Sequence, residues 1–94
     1  MSYCRTTIVE FNSGKDADEG SADYSKNAAS EFPEAEILLA FRTGPTSAIA
    51  VSLFPDEETA KNTTVARNAR MEKSAHWRES TEMHQGDVTL KVVR

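Results

Sequence analysis

Two apolar stretches, Ile37–Phe41 and Ala48–Phe54, flank a Thr43-Gly44-Pro45-Thr46 turn, and Pro55-Asp56-Glu57-Glu58 follows at once. The spacing predicts a hairpin with strands over 36–43 and 47–54, running straight into a capped helix. Ile37, Leu39 and Phe41 alternate with Leu38, Ala40 and Arg42. Ile49, Val51 and Leu53 alternate with Ala48, Ala50, Ser52 and Phe54. Side chains on a strand point alternately to its two faces, so both strands are largely apolar on two sides. An antiparallel pair with one wet face would alternate apolar with polar residues. Each side of this hairpin therefore needs a cover.

The remaining pattern supplies one side. Tyr3–Phe11 reads as a first strand, rich in the β-branched residues Thr6, Thr7, Ile8 and Val9. Asn12-Ser13-Gly14 ends it as a turn. Lys15–Glu31 reads as a helix with a stripe of mostly small residues, Ala17, Ser21, Tyr24 and Ala28, and Pro33 stops it. Asp56 opens a second helical pattern that runs to about Arg78, with a break expected near Lys73-Ser74. Glu79–Gln85 is polar and reads as loop. Gly86–Val93 reads as a fourth, half-buried strand, with Val88, Leu90 and Val92 on one side.

The order β-α-β-β-α-β describes one α+β domain over residues 1–94. It is the ferredoxin-like arrangement, a four-stranded antiparallel sheet with two helices on one face. The other face is left bare, and a second copy of the chain is the simplest cover. Composition narrows the partners further. The net charge of −4, from 15 acidic and 11 basic residues, argues against nucleic acid, which needs a concentrated basic face. No apolar run reaches the roughly 18 residues of a membrane span, and Met1–Arg5 holds no apolar signal core, so a cytoplasmic protein is expected. Cys4 is the only cysteine and reads as a small apolar residue on a strand.

The chain resembles the dimeric α+β barrel superfamily, and within it the small antibiotic-biosynthesis-monooxygenase-like proteins. The likeness lies in Val9-Glu10-Phe11 before Gly14-Lys15, in the hairpin over 36–54, in Phe54-Pro55-Asp56-Glu57-Glu58-Thr59-Ala60, and in Gly86-Asp87-Val88. It implies a homodimer whose two sheets face each other as a barrel. It also implies a pocket between helices and sheet for an aromatic or polyketide-like compound, oxygenated in some relatives without metal or flavin. Other relatives degrade haem with an Asn, a Trp and a His. Asn12 could match that Asn, but His76 directly adjoins Trp77, and neighbouring helical residues point about 100° apart. That departs from the order in which the Trp precedes the ligating His by some turns.

The candidate ligand residues are Asn12, Tyr24, Arg42, His76 and Trp77. Tyr24 could offer a phenol to a cavity left by Gly20, Ala17 and Ala28, or fill the core among them. Trp77 could stack on a planar ligand or anchor the end of its helix. His76 and His84 lack a metal-ligand spacing, so no metal site and no cofactor are expected. Arg67, Arg70 and Lys73 read as a solvated face paired with Glu57, Glu58 and Glu72. Arg5 and Arg42 read as exposed at strand edges. Inside a pocket they would need a carboxylate, with Glu10 and Glu36 as candidates. Two functions stay open: a cofactor-independent monooxygenase-like enzyme acting on a small aromatic compound, and a non-catalytic ligand-binding or interaction module. A closed pocket of roughly a few hundred Å³ near Tyr24 and Trp77 would favour an enzyme or a ligand carrier, and a solid core there an interaction module.

Overall fold

The computed structural model describes all 94 residues. Strand β1 spans Tyr3–Phe11 and helix α1 Gly14–Glu31. Strands β2, Ile37–Gly44, and β3, Ser47–Phe54, form the expected hairpin. The second helical unit is in two pieces, α2 over Glu57–Lys61 and α3 over Thr64–Lys73. A 3₁₀ turn, Ala75–Trp77, leads into β4, Arg78–Asp87. The four strands form one antiparallel sheet in the order β2-β3-β1-β4, which is the ferredoxin-like topology.

Local chemistry fixes the joints. The Ser13 hydroxyl accepts from the Asp16 N–H at 3.1 Å and starts α1. The Asp56 carboxylate accepts from the N–H and hydroxyl of Thr59, at 2.7 and 2.6 Å, and starts α2. Both caps satisfy donors that a helix N-terminus leaves open. The Phe32 N–H bonds to the Ala28 carbonyl and closes α1 one residue before Pro33. Pro45 and Thr46 join β2 to β3 with no residue at positive φ.

Two elements differ from the pattern read off the sequence. The helix expected over 56–78 breaks at Asn62-Thr63, besides ending at Lys73. Thr63 is 1% exposed, and its hydroxyl donates to the Ala60 carbonyl and accepts from Arg5. A threonine that ties up its own backbone competes with the helix ladder. The fourth strand is Arg78–Asp87, not 86–93. Pairing with β1 runs from Phe11 opposite Arg78 to Tyr3 opposite Asp87, so β1 has no residues left for 88–94. Val88 N–H to Ser2 carbonyl is the last rung, and Leu90, Val92 and Val93 are exposed. As an edge strand, β4 can be polar, which is why Glu79–Gln85 looked like loop.

Register assigns the faces. Tyr3, Arg5, Thr7, Val9 and Phe11 share one face with Ala48, Ala50, Ser52 and Phe54. Helices α1 and α3 lie over this face. The tightest packing gathers at one end, where Tyr3, Phe54 and Ala60 meet Ala35. On the opposite face, Leu39 is 59% exposed. That face has no cover within the chain beyond the C-terminal tail, whose Lys91 ammonium reaches Glu36 at 2.9 Å.

Candidate functional site

Away from that packed end, a half-open cavity of about 340 Å³ lies between the helices and the sheet. Its origin is side-chain size. The sheet floor offers Thr7, Ala40, Ala48, Ala50 and Ser52, and α1 presents Gly20, Ser21 and Ser25. Short residues facing short residues leave space that nothing fills. Gly20 lets α1 approach the end of β1, since a Cβ there would lie 2.7 Å from the Phe11 ring. Phe11, Phe32, Tyr24 and Met71 add apolar and aromatic wall.

The polar lining is one-sided. Five arginines line the cavity, and no aspartate, glutamate or histidine does. Two of the five are neutralised. Arg42 bonds to Asp18 at 2.8 Å and to the Pro45 carbonyl at 2.6 Å. Arg70 grips Glu31 through two bonds of 2.6 Å and also bonds to Asp23, fastening α3 to α1. Its guanidinium holds the Asp23 carboxyl below the usual carboxylate range.

Arg5, Arg67 and Arg78 have no carboxylate partner. Arg5 is 7% exposed, stacks on the Phe54 ring at 5.1 Å and donates to the Thr63 hydroxyl at 3.0 Å. Arg78 donates to the Met71 carbonyl and the Ser74 hydroxyl. The Arg67 guanidinium bonds to no protein acceptor. Burial and then the charge of Arg67 push the Arg5 pKa down; burial and then Arg78 do the same to Arg67. Guanidinium groups stay charged at neutral pH regardless. Tyr24 is the remaining titratable group on the lining. Burial raises its phenol, an effect opposed by the neighbouring Ser52 hydroxyl and by the charges of Arg70 and Arg5.

Of the residues singled out in the sequence, Tyr24 and Arg42 line this cavity. Asn12, His76 and Trp77 gather elsewhere, where β1 ends. The Asn12 amide donates to the His76 carbonyl at 3.1 Å, and its backbone N–H donates to the Trp77 carbonyl at 2.9 Å. The Trp77 indole N–H donates to Glu19 at 3.2 Å, and the His76 and Trp77 rings lie 4.2 Å apart. These contacts pin the 3₁₀ turn to α1 and β1. Of the small residues beside Tyr24, Gly20 lines the cavity, whereas Ala17 and Ala28 are buried in packing.

The arginines also depart from expectation. Arg5 is buried, because β1 is an inner strand with β3 and β4 on either side. Arg42 pairs with Asp18, while Glu10 accepts from Thr46 and Glu36 pairs with Lys91. Arg67 and Arg70 turn inward instead of joining Glu57, Glu58 or Glu72. Arg78 had no signal of its own in the sequence, since its role follows from where β4 begins. No group of three or more His, Cys, Asp or Glu side chains is placed to hold a metal ion. No helix is long and apolar enough to cross a membrane.

No family model matches the sequence, and no curated protein does. Solved structures match over nearly the whole chain. A dimeric ferredoxin-like protein from an uncultured marine organism superimposes with a TM-score of 0.80 at 9% identity, covering 99% of this chain and 92% of that one. A candidate antibiotic biosynthesis monooxygenase from Chloroflexus aurantiacus gives 0.80 at 12% identity, covering 99% and 98%. SnoaB, a cofactor-independent oxygenase from Streptomyces nogalater, gives 0.71 at 9% identity, covering 99% and 97%. The chain has the fold of the dimeric ferredoxin-like and antibiotic-biosynthesis-monooxygenase-like proteins.

Proposed function

We propose that the protein is a homodimer that binds a small aromatic, polyketide-like compound in the cavity between helices and sheet. The cavity itself carries this reading. A dedicated interaction module would have a filled core there, and about 340 Å³ is at the small end of ligand pockets. Its walls suit a planar ring: aromatic and thioether groups at the sides, short side chains on the floor. The ligand enters a site with fixed donors and no carboxylate or imidazole to act as a general base, and burial keeps the Tyr24 phenol protonated. Binding is therefore the activity the geometry supports best.

Cofactor-independent oxygenation of the bound ring is the second reading. It is favoured by the likeness to SnoaB and by guanidinium groups that would stabilise an oxyanion formed on the ring. In that reaction a ring methylene becomes a carbonyl, one atom of O₂ enters the product, and the other leaves as water. Two measurements test these readings. Calorimetric titration with two- and three-ring aromatics is expected to give micromolar dissociation constants at one site per chain. Absence of binding across such a set would overturn the ligand-site reading. Oxygen-electrode traces with an oxidisable anthrone should then show uptake above the buffer rate if the protein is an oxygenase. Binding without uptake would leave a ligand carrier.

A further inference from the structure

We infer that the cavity's ligand is an aromatic carboxylate, its ring against the apolar wall and its carboxylate on Arg5, Arg67 and Arg78. This rests on the reading of the cavity as a ligand site and specifies the ligand's charge.

Three observations carry it. The first is charge balance. Five arginines and no acidic residue line the cavity, and the ion pairs from Asp18, Asp23 and Glu31 neutralise only Arg42 and Arg70. Three positive charges, Arg5 buried and Arg67 and Arg78 half-buried, remain without a carboxylate in a protein whose net charge is −4. Buried charges are ordinarily paired, and unpaired ones cost free energy.

The second is mutual repulsion. Arg67 lies close enough to lower the pKa of Arg5, and Arg78 close enough to lower that of Arg67. Like charges held together in a partly dry site oppose folding, and an anion between them would relieve that strain.

The third is unused donor capacity. A guanidinium has five N–H donors in a planar fork that matches a carboxylate. Arg5 spends one bond on Thr63, and Arg67 spends none on the protein. No buried side-chain nitrogen lacks a partner, so the remaining Arg5 donors open onto the cavity. A bare inorganic anion would leave Phe11, Phe32 and Met71 facing water, so the anionic group belongs on an apolar body.

Matched pairs make the test: benzoate with benzamide, 2-naphthoate with 2-naphthamide, and anthracene-2-carboxylate with its amide, each titrated into the full chain. The expected result is that at least one carboxylate binds tenfold or more tighter than its neutral amide. That preference should shrink several-fold in 0.5 M NaCl. Arg67→Gln should cost the carboxylate about tenfold while the amide changes less than twofold. Because Arg67 bonds to no protein acceptor, Arg67→Gln should leave the melting temperature of the free protein unchanged or higher. Inorganic phosphate at 1 mM should displace little of the bound carboxylate.

Equal binding of acid and amide would overturn the carboxylate assignment and leave the cavity reading standing. Tight competition by phosphate would overturn the ring-bearing ligand in favour of a bare-anion site. Failure of every pair to bind would overturn the cavity reading, and this inference with it. A large fall in the stability of Arg67→Gln would show a structural role and overturn the assignment of that side chain to the ligand.

Discussion

Arg70 and Arg67 stand one helical turn apart and do opposite things. Arg70 is 6% exposed at its side chain and closes a bridge to Asp23 and Glu31 on α1. Arg67, with no such partner, adds charge to the cavity. The difference is what α1 places opposite each, and no pattern within α3 reveals it. That is why the basic segment read as one solvated face. Arg5 read as exposed at a strand edge, yet the topology makes β1 an inner strand, and Arg5 shares its face with Tyr3 and Phe11. Its carboxylate-free surroundings, however, depend on side-chain packing that periodicity does not encode.

The Arg70 bridge has a pH signature. The Arg70 hydrogen bond holds the Asp23 carboxyl below its ordinary value. A depressed folded-state pKa gives stability that is present above the unfolded value near 3.9 and lost as pH falls through the folded one. The urea midpoint should therefore decline from pH 5 towards pH 2. Arg70→Gln should lose about 2 kcal/mol at pH 7, less than a fully buried pair because both carboxylates keep some exposure. It should also decline less steeply with acid. Asp56, whose carboxyl is lowered by its bonds with Thr59, keeps part of the slope in both proteins. Parallel curves for the two proteins would show that Asp23 is not the linked group.

Among the elements, β1 and β3 were legible to the residue, because inner strands of a sheet carry β-branched and apolar residues on both faces. β4 was not, because an edge strand with little burial on either side has no hydropathy signal. The real constraint on β4 is the length of β1, which sets how many residues can pair.

The break between α2 and α3 was hidden for a similar reason. Asn62-Thr63-Thr64 weakens a helix only mildly, and the break is settled by Thr63 turning inward to Arg5. Thr63→Val keeps the shape and removes the hydroxyl. It would leave Arg5, almost fully buried, without its one hydrogen bond to the protein. The expected cost is about 2 kcal/mol in urea unfolding, the range for a bond to a charged group. Thr63→Ser should recover most of that. A valine variant as stable as the parent would mean that the hydroxyl does not support Arg5.

At the scale of the molecule, one sheet face and the tail remain to be explained. Thirteen of 94 residues are buried, so one chain alone makes a thin core. Leu39 and Phe41 on β2, with Leu90, Val92 and Val93 beyond β4, leave large apolar side chains exposed. Two of the solved structures sharing the fold are described as dimeric. If two copies cover each other's open face, light scattering at micromolar concentration should give twice the 10.4 kDa chain mass. The melting temperature should rise with protein concentration, because association stabilises only the folded chains. Leu39→Asp places a charge at the centre of the β2 surface, opposite Val51 and away from the cavity. It should shift the dimer towards monomer at least tenfold and remove the concentration dependence of melting. A parent protein of 10.4 kDa with a concentration-independent melting temperature would exclude the dimer. The open face would then be a surface the chain keeps exposed.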